Sequence, residues 1–183
     1  MQSNALPAAV QPGFLKIMHD ATGYAGGYLV TNSWGRPLEC RLSSSVAPNK
    51  VQQILYGRTL EEFLHAELIG KTLIEKTSTA VHLLIVDAPA TLAMRERLDV
   101  PVLLLEPADA PPWPCPEGGD YAVHANVSTK GRLLRSAAHQ ADAERIDALL
   151  AMLDRSFDLS EPFLRVREAM MEYRKMGGSQ RAA

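Results

Sequence analysis

Five of the six residues from Val81 to Val86 are apolar, and Asp87 closes the run. A stretch that short and that continuously apolar marks a strand covered on both faces. A second such strand, Val102 to Leu105, follows after a short helix expected over Pro89 to Leu98. Two buried strands joined by one short helix require a parallel pair with a right-handed crossover. That requirement alone places the chain among α/β folds and excludes an all-β or all-helical architecture.

The segment before this pair reads as strand, hairpin and helix. Phe14 to His19 is a first strand, and Asp20-Ala-Thr-Gly23 is a turn. Tyr28 to Thr31 and Leu38 to Leu42 form a hairpin across Asn32-Ser-Trp-Gly-Arg-Pro37. In its second arm Leu38, Cys40 and Leu42 alternate with Glu39 and Arg41, which points the first three toward a core. A helix starts near Pro48, carries Val51, Ile54 and Leu55 as its apolar stripe, and ends at Gly57. Thr59 with Glu62 three residues on reads as the capping box of a second helix. That helix buries Leu60, Phe63, Leu64, Leu68, Leu73 and Ile74.

Beyond the parallel pair, residues 107–120 hold five prolines and act as an internal boundary or covering loop. Tyr121 to Val127 is a strand with Ala122, His124, Asn126 and Ser128 on its wet face, Lys130 lies just past it, and a return strand starts from Arg132. Two helices finish the chain. The first keeps Ile146, Leu149, Leu150, Leu153 and Phe157 at helical spacing, and the second buries Phe163, Val166, Met170 and Tyr173. The expected organisation is a disordered arm over 1–12, a single α/β domain over 13–176 and a disordered tail over 177–183. The domain has a mixed sheet, built of an N-terminal hairpin plus parallel strands, with flanking helices and a C-terminal helical pair.

Composition narrows the function classes. The 183 residues are 46% hydrophobic and 22% charged, with a net charge of −2. That balance gives no support for nucleic-acid binding or attachment to an anionic membrane. Two cysteines make neither a disulfide framework nor a cysteine zinc site, so a reduced, cytoplasmic setting is expected. The opening residues lack a basic region and a long apolar core, so no signal peptide is read there.

No complete catalytic motif is present. Gly70-Lys71-Thr72 lacks the upstream glycine of a phosphate loop, and the five histidines have no metal-ligand spacing. Asp87 is a carboxylate at the end of a buried strand, suited either to metal or base chemistry or to capping the next helix. Asp20, Glu39, Glu67 and Asp87 are the acidic residues that could combine. The order strand, hairpin, helix, strand, helix, strand over roughly residues 14–105 resembles the ribonuclease-H-like fold. That resemblance implies a two-metal nuclease or phosphoesterase, with Asp20 and Asp87 as Mg or Mn ligands and Glu67 (or Glu62) completing the catalytic set.

The leading expectation is different: a non-catalytic interaction or adaptor subunit with no cofactor, whose partner is another protein or a second copy of the chain. Trp34 sits in a polar turn and Trp113 between two prolines, where a large apolar ring is least expected. Arg36 beside Trp34, and Arg165 and Tyr173 on the last helix, complete the expected contact set.

Overall fold

The computed structural model describes residues 6–107, 121–124 and 131–180. The predicted Pro-rich boundary, Trp113, Cys115, Asn126, Ser128 and Lys130 lie outside them. The chain order is β1 (Pro12–Asp20), β2 (Gly23–Thr31), β3 (Pro37–Leu42), α1 (Lys50–Tyr56) and a helical run over 60–75. That run is α-helical as α2 (Leu60–Glu62), π-helical over Phe63–Gly70, and α-helical again as α3 (Lys71–Glu75). Then come β4 (Leu83–Val86), a 3-10 helix (Pro89–Glu96), β5 (Val102–Pro107), β6 (Tyr121–Val123) and β7 (Gly131–Ser136). The helices here called α4 (Asp142–Ala151) and α5 (Glu161–Gln180) close the chain.

The strands make one mixed seven-stranded sheet in the order β3-β2-β1-β4-β5-β7-β6. β1 pairs in parallel with β4, and β4 with β5, while β2 runs antiparallel to both β1 and β3. The expected α/β domain with hairpin strands on one side of a parallel pair is therefore observed, and its first five strands keep the element order noted above. Alternation along the central strands divides the core. Leu15, Leu84, Val86 and Leu104 face the 60–75 helical run, packing with Leu64, Ile69 and Leu73. Phe14, Leu83, Ile85 and Leu103 face the other way, onto Ile146, Leu149 and Phe163 of the helical pair. All four β4 residues are 0% exposed, as a strand sandwiched between two helical layers must be.

Several local expectations change. Val10 is fully buried and Pro12 begins β1, so the core takes in residues assigned to the loose arm. At the other end α5 runs through Gln180, into the stretch read as tail. The first helix, expected to begin near Pro48, begins at Lys50, so Pro48 lies before its first turn; Asn49 caps it, its side chain accepting from the Gln52 N–H at 2.8 Å while the Gln52 side chain accepts from the Asn49 N–H at 2.9 Å. Thr59 forms no such box, because its hydroxyl donates to the Tyr56 carbonyl at 2.8 Å. In β3, Leu38 and Cys40 are exposed; the strand is the sheet edge, and only Leu42 reaches packing partners, near Val166 and Met170. His124 is 7% exposed rather than wet, with Nε2 3.0 Å from Oδ1 of Asp147 on α4. Tyr173 is half exposed, unlike the buried Phe163, Val166 and Met170.

Candidate interaction surface

The hairpin tip between β2 and β3 is built on Asn32. Its side-chain oxygen accepts from the Trp34 N–H at 3.1 Å and the Arg36 N–H at 2.9 Å. Its own N–H donates to the Arg36 carbonyl at 3.0 Å, and its carbonyl accepts from Gly35 at 3.1 Å. An Asn closes such a turn because its short amide mimics one more backbone carbonyl. Gly35 has φ +80, a conformation that side chains strain, and a β-carbon there would sit 2.5 Å from the Phe157 ring.

Two further bonds tie this tip to the body. The Asp154 N–H donates to the Ser33 carbonyl at 3.0 Å, and Arg165 of α5 donates to the Gly35 carbonyl at 2.9 Å. Arg165 also pairs with Glu161 at 2.7 Å. The tip is thus braced against the helical layer, yet Trp34 stands 72% exposed on it. Arg36 beside it is exposed as well. The hairpin tip and the start of α5, read separately in the sequence, meet through Arg165. Tyr173 lies two turns further along α5 with half of its surface in solvent.

A second exposed apolar feature departs from expectation. Val51, Ile54 and Leu55, expected to seat α1 on a core, are 63%, 69% and 77% exposed. None of the α1 residues is buried. Periodicity correctly marks the stripe, but it is silent on whether the chain itself supplies the covering surface.

The acidic residues of the metal reading are each held by a different cation. Asp20 caps the β1–β2 turn, accepting from Thr22 N–H and hydroxyl at 2.8 and 2.7 Å, and pairs with Arg174 of α5. Asp87 pairs with Lys16, its neighbour across the β1–β4 ladder. Ala88, not Asp87, stands at the start of the 3-10 helix, so the capping role read for Asp87 is not the one it plays. Glu67 pairs with Arg97 at 2.6 Å. Asp20 lies four residues beyond Lys16 on β1, or about 13 Å further along the strand. Val86 faces the 60–75 helical run, so Asp87 faces the opposite layer from the helix that carries Glu67. Among the described residues no group of three His, Cys, Asp or Glu side chains could hold a metal ion.

The Asp87 carboxyl is shifted up from the usual carboxylate range by burial, against the opposing pull of Lys16. Glu39 moves the other way. Its carboxylate accepts from the Thr79 N–H at 2.9 Å, the Ser78 N–H at 3.1 Å and the Ser78 hydroxyl at 3.1 Å. With the Arg41 bond these lower its pKa to about 2, the bond from Thr79 contributing most. The carboxylate thereby latches the loop before β4 onto the edge strand β3.

One cluster has no trace in the spacing of its residues. His19 stacks on Tyr24 with centroids 3.9 Å apart, Tyr24 meets the edge of His65 at 5.9 Å, and His65 Nδ1 lies 3.1 Å from the Thr91 hydroxyl. Burial lowers the His65 pKa, which keeps the ring neutral and its bond to Thr91 directional. These residues come from β1, β2, the π-helical segment and the 3-10 helix, and only the tertiary fold collects them.

No protein-family model matches the chain, and no curated protein matches it in sequence. Among the described residues no helix is long and apolar enough to cross a membrane.

Proposed function

We propose that this protein is a non-catalytic interaction module that docks another protein, or a second copy of itself, on the Trp34 hairpin tip. The observation that carries the reading is a tryptophan 72% exposed on a turn braced at both ends. An exposed indole on a mobile loop would lose conformational freedom on binding. On this tip the backbone is already ordered, so that entropic cost is small. Covering the exposed part of the ring removes on the order of 180 Å² from water, about 4 kcal/mol gross, which is the scale of a binding hot spot. Arg36 and the Glu161–Arg165 pair supply a polar rim beside it.

The test is photo-crosslinking from position 34 in cells of the source organism, together with sedimentation velocity of the purified protein over a range of concentrations. A discrete adduct, or a dimer that Trp34→Ala abolishes without lowering the melting temperature, supports the reading. If Trp34→Ala leaves every association of the native protein unchanged, the reading fails.

A further inference from the structure

The strand β3 is the open edge of the sheet, and its pairing groups are separate from the Trp34 tip. Their direction follows from the ladder. The Ser43 N–H donates to the Gly26 carbonyl at 2.9 Å, one step beyond the Gly27–Leu42 pair. Bonded positions alternate along an antiparallel pair, so Arg41 and Glu39 also bond to β2. The backbone groups of Leu38, Cys40 and Leu42 therefore point away from the sheet. Among the described residues no turn, loop or cap hydrogen bond uses them. Leu38 is 44% exposed, and Cys40 is exposed as well. A row of free donors and acceptors on an edge is a template for one more strand.

The residues of this edge select the strand that fits it. Leu38-Glu39-Cys40-Arg41-Leu42 complements itself when reversed. An antiparallel copy centred on Cys40 sets Glu39 opposite the partner's Arg41, Arg41 opposite the partner's Glu39, and Leu38 opposite the partner's Leu42. Opposite charges directly across a ladder stabilise it, and like charges do the reverse. Sliding the copy by two residues either way sets Glu39 against the partner's Glu39, or Arg41 against the partner's Arg41. We infer that two copies of this chain associate through β3, antiparallel and centred on Cys40, joining their sheets edge to edge across a two-fold axis. Cys40 is then a bonded pair with its own counterpart, as its outward backbone groups require. Leu38 and the partner's Leu42 form an apolar strip on the α5 side, where Leu42 already packs near Val166 and Met170. On the other side Glu39 keeps its bonds from Ser78 and Thr79. Arg41, 2.7 Å from Glu39 with its side chain 45% exposed, has room to meet the partner's Glu39 as well. Pro37, which lacks an N–H, precedes the paired stretch.

Sedimentation equilibrium of the full chain measures the association. A bis-methanethiosulfonate with a single-carbon bridge, used in a Cys115→Ser background, reads the register. A dimer is expected with a dissociation constant on the order of tens of micromolar, as suits a small edge contact. Cys40→Pro removes an outward N–H that the β2 ladder does not use, so the variant should keep the far-UV spectrum of wild type and lose the dimer. Arg41→Glu should weaken association at least about tenfold, and Arg41→Lys should leave it within about threefold of wild type. The reagent should join Cys40 to the partner's Cys40. It should not join the thiols of Cys40→Ser with Leu38→Cys, because the two copies of position 38 stand about 13 Å apart along the strands. Trp34→Ala should leave the dimer intact, so this inference and the docking role of the hairpin tip fail separately. A chain still monomeric at about 500 µM would overturn the inference and leave the edge to a strand of another protein. So would a dimer unchanged by Cys40→Pro or Arg41→Glu, crosslinking at position 38 as fast as at 40, or a dimer lost in Trp34→Ala alone.

Discussion

Lys16→Met is the perturbation whose outcome the structure specifies most fully. Lys16 and Asp87 pair between β1 and β4 with side chains only 19% exposed each. Methionine keeps the length of the stem and removes only the charge, leaving Asp87 as an uncompensated carboxylate under the helical layer. Breaking a buried pair from one side costs about 3–5 kcal/mol, and the residual exposure favours the lower end, near 3 kcal/mol. For 183 residues, the unfolding entropy of about 0.4 kcal/mol per kelvin turns that loss into a melting temperature about 8 °C lower.

The pH dependence of this variant carries a sign of its own. The Asp87 pKa is already raised by burial, and removing Lys16 removes the influence that opposes the rise. A carboxyl with a raised folded-state pKa contributes stability that is fully present below its unfolded value, near 3.9, and lost as pH rises through the folded value. The deficit of Lys16→Met should therefore shrink as the pH is lowered from 7 toward 4. Adding Asp87→Leu should restore stability to within about 1 kcal/mol of wild type, because an apolar pair replaces the ion pair without stranding a charge. Urea denaturation at pH 7 and pH 4 measures all of this. A loss under about 1 kcal/mol at pH 7, a deficit independent of pH, or a double variant no better than the single would refute the argument.

Other expectations follow from single contacts. Gly35→Ala places a β-carbon 2.5 Å from Phe157 at a positive φ, and should cost about 1–3 kcal/mol in chemical denaturation. Trp34→Ala removes a ring already in solvent, so its folding stability should stay within about 0.5 kcal/mol of wild type even where association is lost. Glu39, with a folded pKa of about 2, contributes stability present above its unfolded value near 4.3 and lost as pH falls through about 2. NMR titration of its side-chain carboxyl should show the depressed value, and Glu39→Gln should flatten that part of the acid-unfolding profile. Ile54→Ser should leave stability within about 0.5 kcal/mol of wild type, because its 69% exposed side chain has little burial to lose; a larger loss in thermal unfolding would mean that the α1 stripe is covered in solution.

The α/β architecture was legible in residues 81–105, since a continuous apolar strand cannot exist without a layer on each face, and a short helical link leaves only the parallel arrangement. β1 was read only as a strand; that Phe14 and Leu15 go to opposite cores is seen in the structure. Trp34 was legible too, because a polar turn offers an indole no local cover, and the structure leaves it 72% exposed.

Side-chain partnership was not legible. Asp20, Glu67 and Asp87 read as a potential set, yet Arg174, Arg97 and Lys16 each claim one of them from distant positions in the chain. The period of the α1 stripe named Val51, Ile54 and Leu55 but could not say whether anything covers them. The alternation in β3 put Leu38 and Cys40 inside, and the edge position of the strand leaves both outside. The local sequence determines how backbone and side chains repeat, because steric and hydrogen-bonding preferences act over a few residues. Which charge meets which, and which apolar face finds a cover, depends on distances between segments that only the closed sheet and its two helical layers establish.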